Sequence, residues 1–337
     1  MQTNSSELIN ELLLGMRLND VLFRRIEIPE QGGVGFSNET GRAQFHFVGR
    51  GPVWLRRPGT DLYKLDSGDA VLIPRGGQHA VLSAENTLVA EIKPLALDVT
   101  MKNDRRQQVV TIEGNVQHDA IIFSCCMEME LGGMQPLVAS MPEVLLVSTL
   151  LETSPEIRPM LDAMERESLA LQAGHIGILA RLAEVVAALM VRSWAAGGCG
   201  STTGWLGALQ DPRLSRAIAM MHKHPGRNWT VAMLADEASQ SRSVFAQRFL
   251  LVTGVSPLRY LTDLRMRLAF LSLSREHQPI ETVARQLGYG SLAAFSRAFK
   301  RSVGLSPGAV RATKTTTIRQ VQNDLIIHDL SYGAPTP

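Results

Sequence analysis

Ser241 to Pro257 reads SRSVFAQRFLLVTGVSP, and Ser291 to Pro307 reads SLAAFSRAFKRSVGLSP, the same pattern fifty positions later with no gap. Ser241/Ser291, Phe245/Phe295, Phe249/Phe299, Gly254/Gly304, Ser256/Ser306 and Pro257/Pro307 coincide. A unit this short repeated twice is a duplicated element and not a solenoid. Each copy has one physical reading. The serine is a helix N-cap, the two phenylalanines four apart make an apolar stripe for a core, the glycine stops the helix, and Ser-Pro opens the next one.

A short amphipathic segment precedes each copy, Val231 to Ala238 and Ile280 to Leu287, joined to it by Ala238-Ser239-Gln240 and Gly288-Tyr289-Gly290. That arrangement is helix-turn-helix, twice. With the phenylalanines inward, the free face of the first helix shows Arg242, Ser243, Ala246 and Gln247. The free face of the second shows Leu292, Ala293, Ser296, Arg297 and Lys300. Small residues let a helix sit deep in a major groove, where Arg pairs with guanine and Gln with adenine. Charge agrees: Pro212 to Lys314 holds 16 Lys and Arg against 5 Asp and Glu, net +11, which leaves −9 for the rest of a chain whose total is +2. A basic module for phosphates joined to an acidic one suits a regulator that binds double-stranded DNA and senses a signal elsewhere.

The region from about Ala208 to Lys314 resembles the DNA-binding domain of AraC-type transcriptional regulators. The likeness is carried by NWTVAMLADEASQSRSVFAQRF, SPLRYLTDLRMRLAFLSL and PIETVARQLGYGSLAAFSRAFKRSVGLSPGAVR. The family usually ends Gly-x-Ser-Pro-x-x-Tyr-Arg; here Val310 precedes Arg311, whereas Tyr260 occupies the matching place in the first copy.

The other two thirds bound the rest. A chain of 337 residues, 45% hydrophobic, is long enough for two domains with separate cores. No apolar run approaches 18 residues, and MQTNSSELINELLLGMRLND is acidic and amphipathic without a basic start or cleavage site, so a soluble, cytoplasmic protein without membrane contact is expected. Three cysteines without a CxxC or Cys/His cluster support neither a disulfide framework nor a structural zinc site.

From about Val21 to Phe123, runs such as AQFHFVG, PVWLRR, AVLIP, HAVLS and TLVAEI alternate with Gly, Pro, Asn and Asp, the cadence of a β-sandwich or barrel. Within it, GDAVLIPRGGQH from Gly68 to His79 fits Gly-x5-Pro-x-Gly-x2-His and resembles the second motif of cupin barrels. Physically, a strand runs into a glycine turn that re-aims a histidine inward. Only His46 stands where a first cupin motif would supply more ligands; Val48 occupies the place of the next histidine. Two ligands are too few for a selective metal site. His46 and His79 are therefore expected to line an effector pocket, with no metal, no other cofactor and no catalytic residue. A cupin metalloenzyme fused to a DNA-binding domain is the competing reading.

Cys125 and Cys126 end a strand, where alternation turns one thiol inward and one outward, so at least one should be accessible; a cysteine-based redox-sensing regulator is a further alternative. Cys199, in AAGGCGSTTG, reads as exposed and incidental. Pro142 to Leu151 reads as a short helix. ILARLAEVVAALMVRSW from Ile178 puts Leu179, Leu182, Val186, Leu189 and Met190 at helical spacing, a stripe that packs on its own barrel or forms a subunit interface.

FHFVGRGPVWL, LDSGDAVLIPRGGQHAV, AIIFSCCMEME followed by PLVASMPEVLLV, and GWLGALQDPRLSRAIAMMH resemble a subgroup of AraC-type regulators with a cupin-like sensor. The expected fold is two-domain: an N-terminal cupin-like β-barrel or sandwich with accessory helices, and a C-terminal all-α domain with two helix-turn-helix motifs. The expected divisions are 1–196 sensor and dimerisation, 197–207 linker, 208–314 DNA binding and 315–337 tail. The resemblance implies a homodimer, a small-molecule effector and contact with RNA polymerase. Two recognition helices would enter successive major grooves, about 34 Å apart, with the helix from Leu258 to about Ser274 as rigid spacer.

Overall fold

A computed structural model describes residues 16–36, 42–59, 62–95, 108–111, 118–130, 138, 140–152, 154–170, 172–197, 207–208, 211–274 and 276–312. Cys199, most of the linker and the tail 315–337 lie outside the described residues. The chain divides into two compact units, Leu18–Met129 with Pro142–Gly197, and Gly198–Pro337 with Met1–Arg17 and Glu130–Met141.

The strands of the first unit are β1 (Arg17–Pro29), β2 (Gly33–Phe36), β3 (Ala43–Arg50), β4 (Val53–Arg56), β5 (Tyr63–Leu65), β6 (Ala70–Ile73), β7 (His79–Leu82), β8 (Ile92–Leu95), β9 (Gln108–Thr111), β10 (His118–Glu130) and β11 (Leu145–Leu146). They form a six-stranded sheet, β11-β6-β3-β10-β1-β9, and a five-stranded sheet, β5-β4-β7-β2-β8. Alternate residues from both sheets, among them Ile26, Phe36, Val48, Leu55, Val71, Val81 and Ile122, meet in one buried cluster. The expected cupin-like sandwich is therefore present, its core between the inner faces.

The outer face of the larger sheet is covered too. Phe45, Phe47, Leu72 and Phe123 are fully buried although they point away from that cluster. The accessory helices are α1 (Ile157–Ala170) and α2 (His175–Gly197). Leu179, Ala183, Val186, Ala187 and Met190 of α2 are buried, whereas Ile178 and Val185, seven apart, are 48% and 45% exposed, with Leu182 and Leu189 half-buried. The stripe expected from sequence thus divides between two faces of the helix.

Two expectations are corrected. Pro142 to Leu151 is not a helix: Leu145 and Leu146 pair antiparallel with Leu72 and Val71, and turns fill the remainder. An apolar pair beside the open edge of β6 gains ladder hydrogen bonds that a short isolated helix would not supply. Nor is either strand thiol accessible, since Cys125 and Cys126 are both buried. Cys126 faces inward as alternation requires, but the outward Cys125 is fully buried as well.

The second unit contains α3 (Pro212–Lys223), α4 (Val231–Glu237), α5 (Arg242–Thr253), α6 (Pro257–Ser274), α7 (Ile280–Gln286), α8 (Leu292–Val303) and α9 (Pro307–Ala312). The duplicated signals perform as read. Ser241 and Ser291 accept from the amides of Val244 and Ala294, each cap worth about 1 kcal/mol. Gly254 and Gly304 end their helices at φ 76° and 81°, a left-handed turn that favours glycine. Pro257 and Pro307 open the helices that follow. Among the described residues, no helix is long and apolar enough to cross a membrane.

Candidate functional site

The faces expected to read DNA stand outward as the helical phase requires. Phe245, Phe249, Phe295 and Phe299 are fully buried. Arg242, Ser243 and Gln247 are exposed on α5, with Ala246 half-buried; Leu292, Ala293, Arg297 and Lys300 are exposed on α8, with Ser296 half-buried. Each set therefore occupies one outward face, small side chains between longer polar ones. The helix between them, α6, has 18 residues, about 27 Å at 1.5 Å per residue. It carries Tyr260 against Phe249 at one end and Met266, Ala269 and Phe270 into the core of the second module at the other.

In the cupin domain, the glycine turn brings two histidines together. Gly76 and Gly77 sit at φ 62° and 98° and reverse the chain before β7. His79 then points inward, stacked on Phe36 with ring centroids 4.7 Å apart, and its Nε2 lies 2.9 Å from Nε2 of His46. His46 Nδ1 is 2.8 Å from Ser124 Oγ, and His79 Nδ1 is 2.7 Å from Gly77 O. Burial pushes the His46 pKa well below the ordinary histidine value, and His79 adds to the effect. Burial likewise takes His79 down to about 4, opposed by its bond to Gly77 O. Both rings are thus neutral near pH 7, and a carbonyl only accepts, so one proton arrangement satisfies every atom. Ser124 Oγ donates to His46 Nδ1, His46 Nε2 donates to His79 Nε2, and His79 Nδ1 donates to Gly77 O.

Register adds a second polar pair on the same inner face. His46 lies opposite Ser124 and Gln44 opposite Cys126 across β3 and β10, and Gln44 Nε2 donates to Cys126 Sγ at 3.7 Å. Among the described residues, no three His, Cys, Asp or Glu side chains converge as metal ligands. The imidazole pair fits a metal ion poorly, because its Nε2 atoms bond each other and only two nitrogens are on offer.

Residues 7–196 match the family model described as Cupin, and residues 234–313 match the one described as Helix-turn-helix domain. The HTH-type transcriptional regulator AlkR of Acinetobacter baylyi is 32% identical over 246 residues, 72% of this chain and 78% of that protein. The chain belongs to the AraC-type regulators. A second relative, the RCS-specific HTH-type transcriptional activator RclR of Escherichia coli, is 28% identical over 295 residues, 87% of this chain and 90% of that protein. The chain is thus an AraC-type DNA-binding transcriptional regulator with an N-terminal cupin domain.

Several interactions of this AraC-type fold are invisible in sequence patterns. Asp211 caps α3 by accepting from Arg213 N, and it also pairs with Arg248 of α5 at 2.6 Å. The Asp-Pro step is a helix-start signal, but nothing local marks its ionic partner. Tyr260 bonds His222 Nε2 at 2.5 Å. Its counterpart Val310 is buried in the apolar cluster of the second module. That contrast accounts for the departure from the family pattern: the first copy has a polar partner for an aromatic hydroxyl, and the second copy seats an aliphatic side chain.

Proposed function

We propose that this AraC-type regulator works as a cytoplasmic homodimer whose cupin domain binds a small organic effector, and that binding changes occupancy of double-stranded DNA or contact with RNA polymerase. The observation that carries the reading is the neutral Ser124–His46–His79 chain, set with the Gln44–Cys126 pair beside the buried apolar cluster. It presents donors and acceptors that an uncharged or weakly acidic organic ligand engages by displacing the His46–His79 bond. The proposal treats the cupin domain as a sensor without metal or catalytic residues, within the divisions 1–196, 197–207, 208–314 and 315–337. The half-exposed stripe Ile178, Leu182, Val185 and Leu189 supports a second copy of the chain packing on α2. Buried thiols, with Cys125 pushed up by burial first of all, weigh against cysteine-based sensing.

A thermal-shift screen tests the sensor. A compound should raise the melting temperature of the wild-type chain by an amount that grows with its concentration over its dissociation constant. The shift should vanish in His79→Ala. An equal shift in that variant would place the effector elsewhere, and stoichiometric metal in the purified protein would bring the metalloenzyme reading forward.

For DNA, the proposal assigns Arg242, Ser243, Ala246 and Gln247 to one major groove and Leu292, Ala293, Ser296, Arg297 and Lys300 to the next. Arg297 is exposed beside the half-buried Ser296. Arg297→Ala is expected to cost about 1–3 kcal/mol and to relax one base position, because a bidentate Arg to guanine supplies discrimination of that size. Selecting binding sites for both proteins from random duplexes measures it. Identical preferences would show that Arg297 reads no base.

A further inference from the structure

The spacer helix sets the separation of the two modules, and the structure ties them at a second place as well. The loop between α3 and α4 meets the turn between α7 and α8 backbone to backbone. A Cβ on Gly226 would lie 2.0 Å from Gln286 O, and one on Gly288 would lie 2.2 Å from Gly226 O, so neither position has room for a side chain. Gly288 also sits at φ 77°, where glycine is favoured.

Arg265, midway along α6, closes the seam. Its Nε donates to Pro225 O at 2.6 Å and its Nη2 to Arg227 O at 2.9 Å. Its guanidinium faces the Tyr289 ring at 5.9 Å, and Tyr289 packs edge-on against Phe295 of α8 at 5.4 Å. A continuous path therefore runs from the loop of the first module through the spacer helix to the recognition helix of the second. Two carbonyls held by one planar fork give an angular constraint that a single contact would not.

We propose that Gly226, Gly288 and Arg265 form an inter-module clamp that sets the distance and rotation between the two recognition helices, and so makes the spacing of the two DNA elements part of what the protein reads. These are positioning residues. The inference rests on both modules engaging the same duplex. One base pair inserted between the elements rotates the second by about 35° and moves it about 3.4 Å. A clamped pair of modules rejects that site, whereas a loosened pair follows it and loses the advantage of joint binding.

Arg265→Lys keeps the positive charge and removes the fork, so it separates clamping from general attraction to phosphate. The full-length variant is compared with the wild type on the site selected by the wild-type protein, on that site with one base pair inserted, and on duplexes with either element scrambled. Expected are unchanged affinity for the single-element duplexes, about tenfold weaker binding to the intact site, and loss of discrimination against the inserted site. Gly226→Ala, which forces the seam apart sterically, should give the same pattern. Equal loss on intact and single-element duplexes, or wild-type discrimination against the inserted site in both variants, overturns the clamp. If Arg297→Ala leaves site preference unchanged, the failure lies instead with DNA reading by the second module.

Discussion

Phe295→Ala is expected to destabilise or unfold the second module while the cupin domain keeps its own melting transition. Phe295 is fully buried, 5.7 Å from Phe299 and 5.4 Å from Tyr289 between ring centroids. Truncating such a side chain costs roughly 3–5 kcal/mol, the transfer term plus the cavity left behind. Its neighbours offer little relief. Met266, Phe270 and Leu273 belong to the spacer helix and Val283 and Ala284 to α7, so collapse around the void would pull on elements fixed elsewhere. A loss of that size is a large fraction of the stability of a small helical module. Calorimetry on the full chain should show the transition of the DNA-binding unit lowered or missing and the cupin transition in place, because the two units have separate cores. An unperturbed profile would mean that the helical phase of α8 is wrong, and the outward placement of Arg297 would fall with it.

Legibility in the sequence followed the range of the interactions. The second unit was readable because its determinants are local: a cap at Ser291, a stripe at Phe295 and Phe299, a stop at Gly304, all within one helix and repeated fifty positions earlier. The turn that aims His79 is equally local. Ser124 was not readable as the partner of His46, because β3 and β10 are 78 residues apart at that pair and AIIFSCCMEME carries no mark of the pairing. For the thiols, alternation predicts the two directions correctly and accessibility wrongly, since a strand does not announce what covers its outer face. The segment 142–151 failed for a related reason: its apolar residues satisfy helical spacing, but the edge of β6 claims Leu145 and Leu146. Arg265 is the extreme case. Its partners are backbone carbonyls, which have no identity in a sequence.

The cupin domain should lose stability between pH 7 and pH 5, before its carboxylates begin to titrate in bulk. His79 has a folded-state pKa of about 4 against an ordinary value of 6.5, so between those limits the unfolded chain binds a proton that the folded chain refuses. Stability from the neutral pair is therefore fully present above about pH 6.5 and declines as pH falls towards 4. The total for His79 is about 3 kcal/mol, of which about 2 is lost by pH 5. His46 moves in the same direction, lowered first by burial and then by His79, so it deepens the loss. The structural cause is burial, because a charge on either ring must be taken out of water. One added proton can be held if Ser124 Oγ turns to accept from His46 Nδ1 while His79 Nε2 donates to His46 Nε2, but a second sets the two Nε2 atoms donor to donor at 2.9 Å. Denaturant melts of the cupin transition at pH 7, 6 and 5 measure the effect. His79→Gln, which removes the titrating group and keeps a hydrogen-bonding side chain, should flatten the slope. His222 lies in the other unit and is lowered to about 3 by burial, so its acid response belongs to a separate transition. A wild-type cupin domain equally stable at pH 7 and pH 5 would show that His46 and His79 are open to water, and the proposed displacement of the His46–His79 bond by an effector would fall with it.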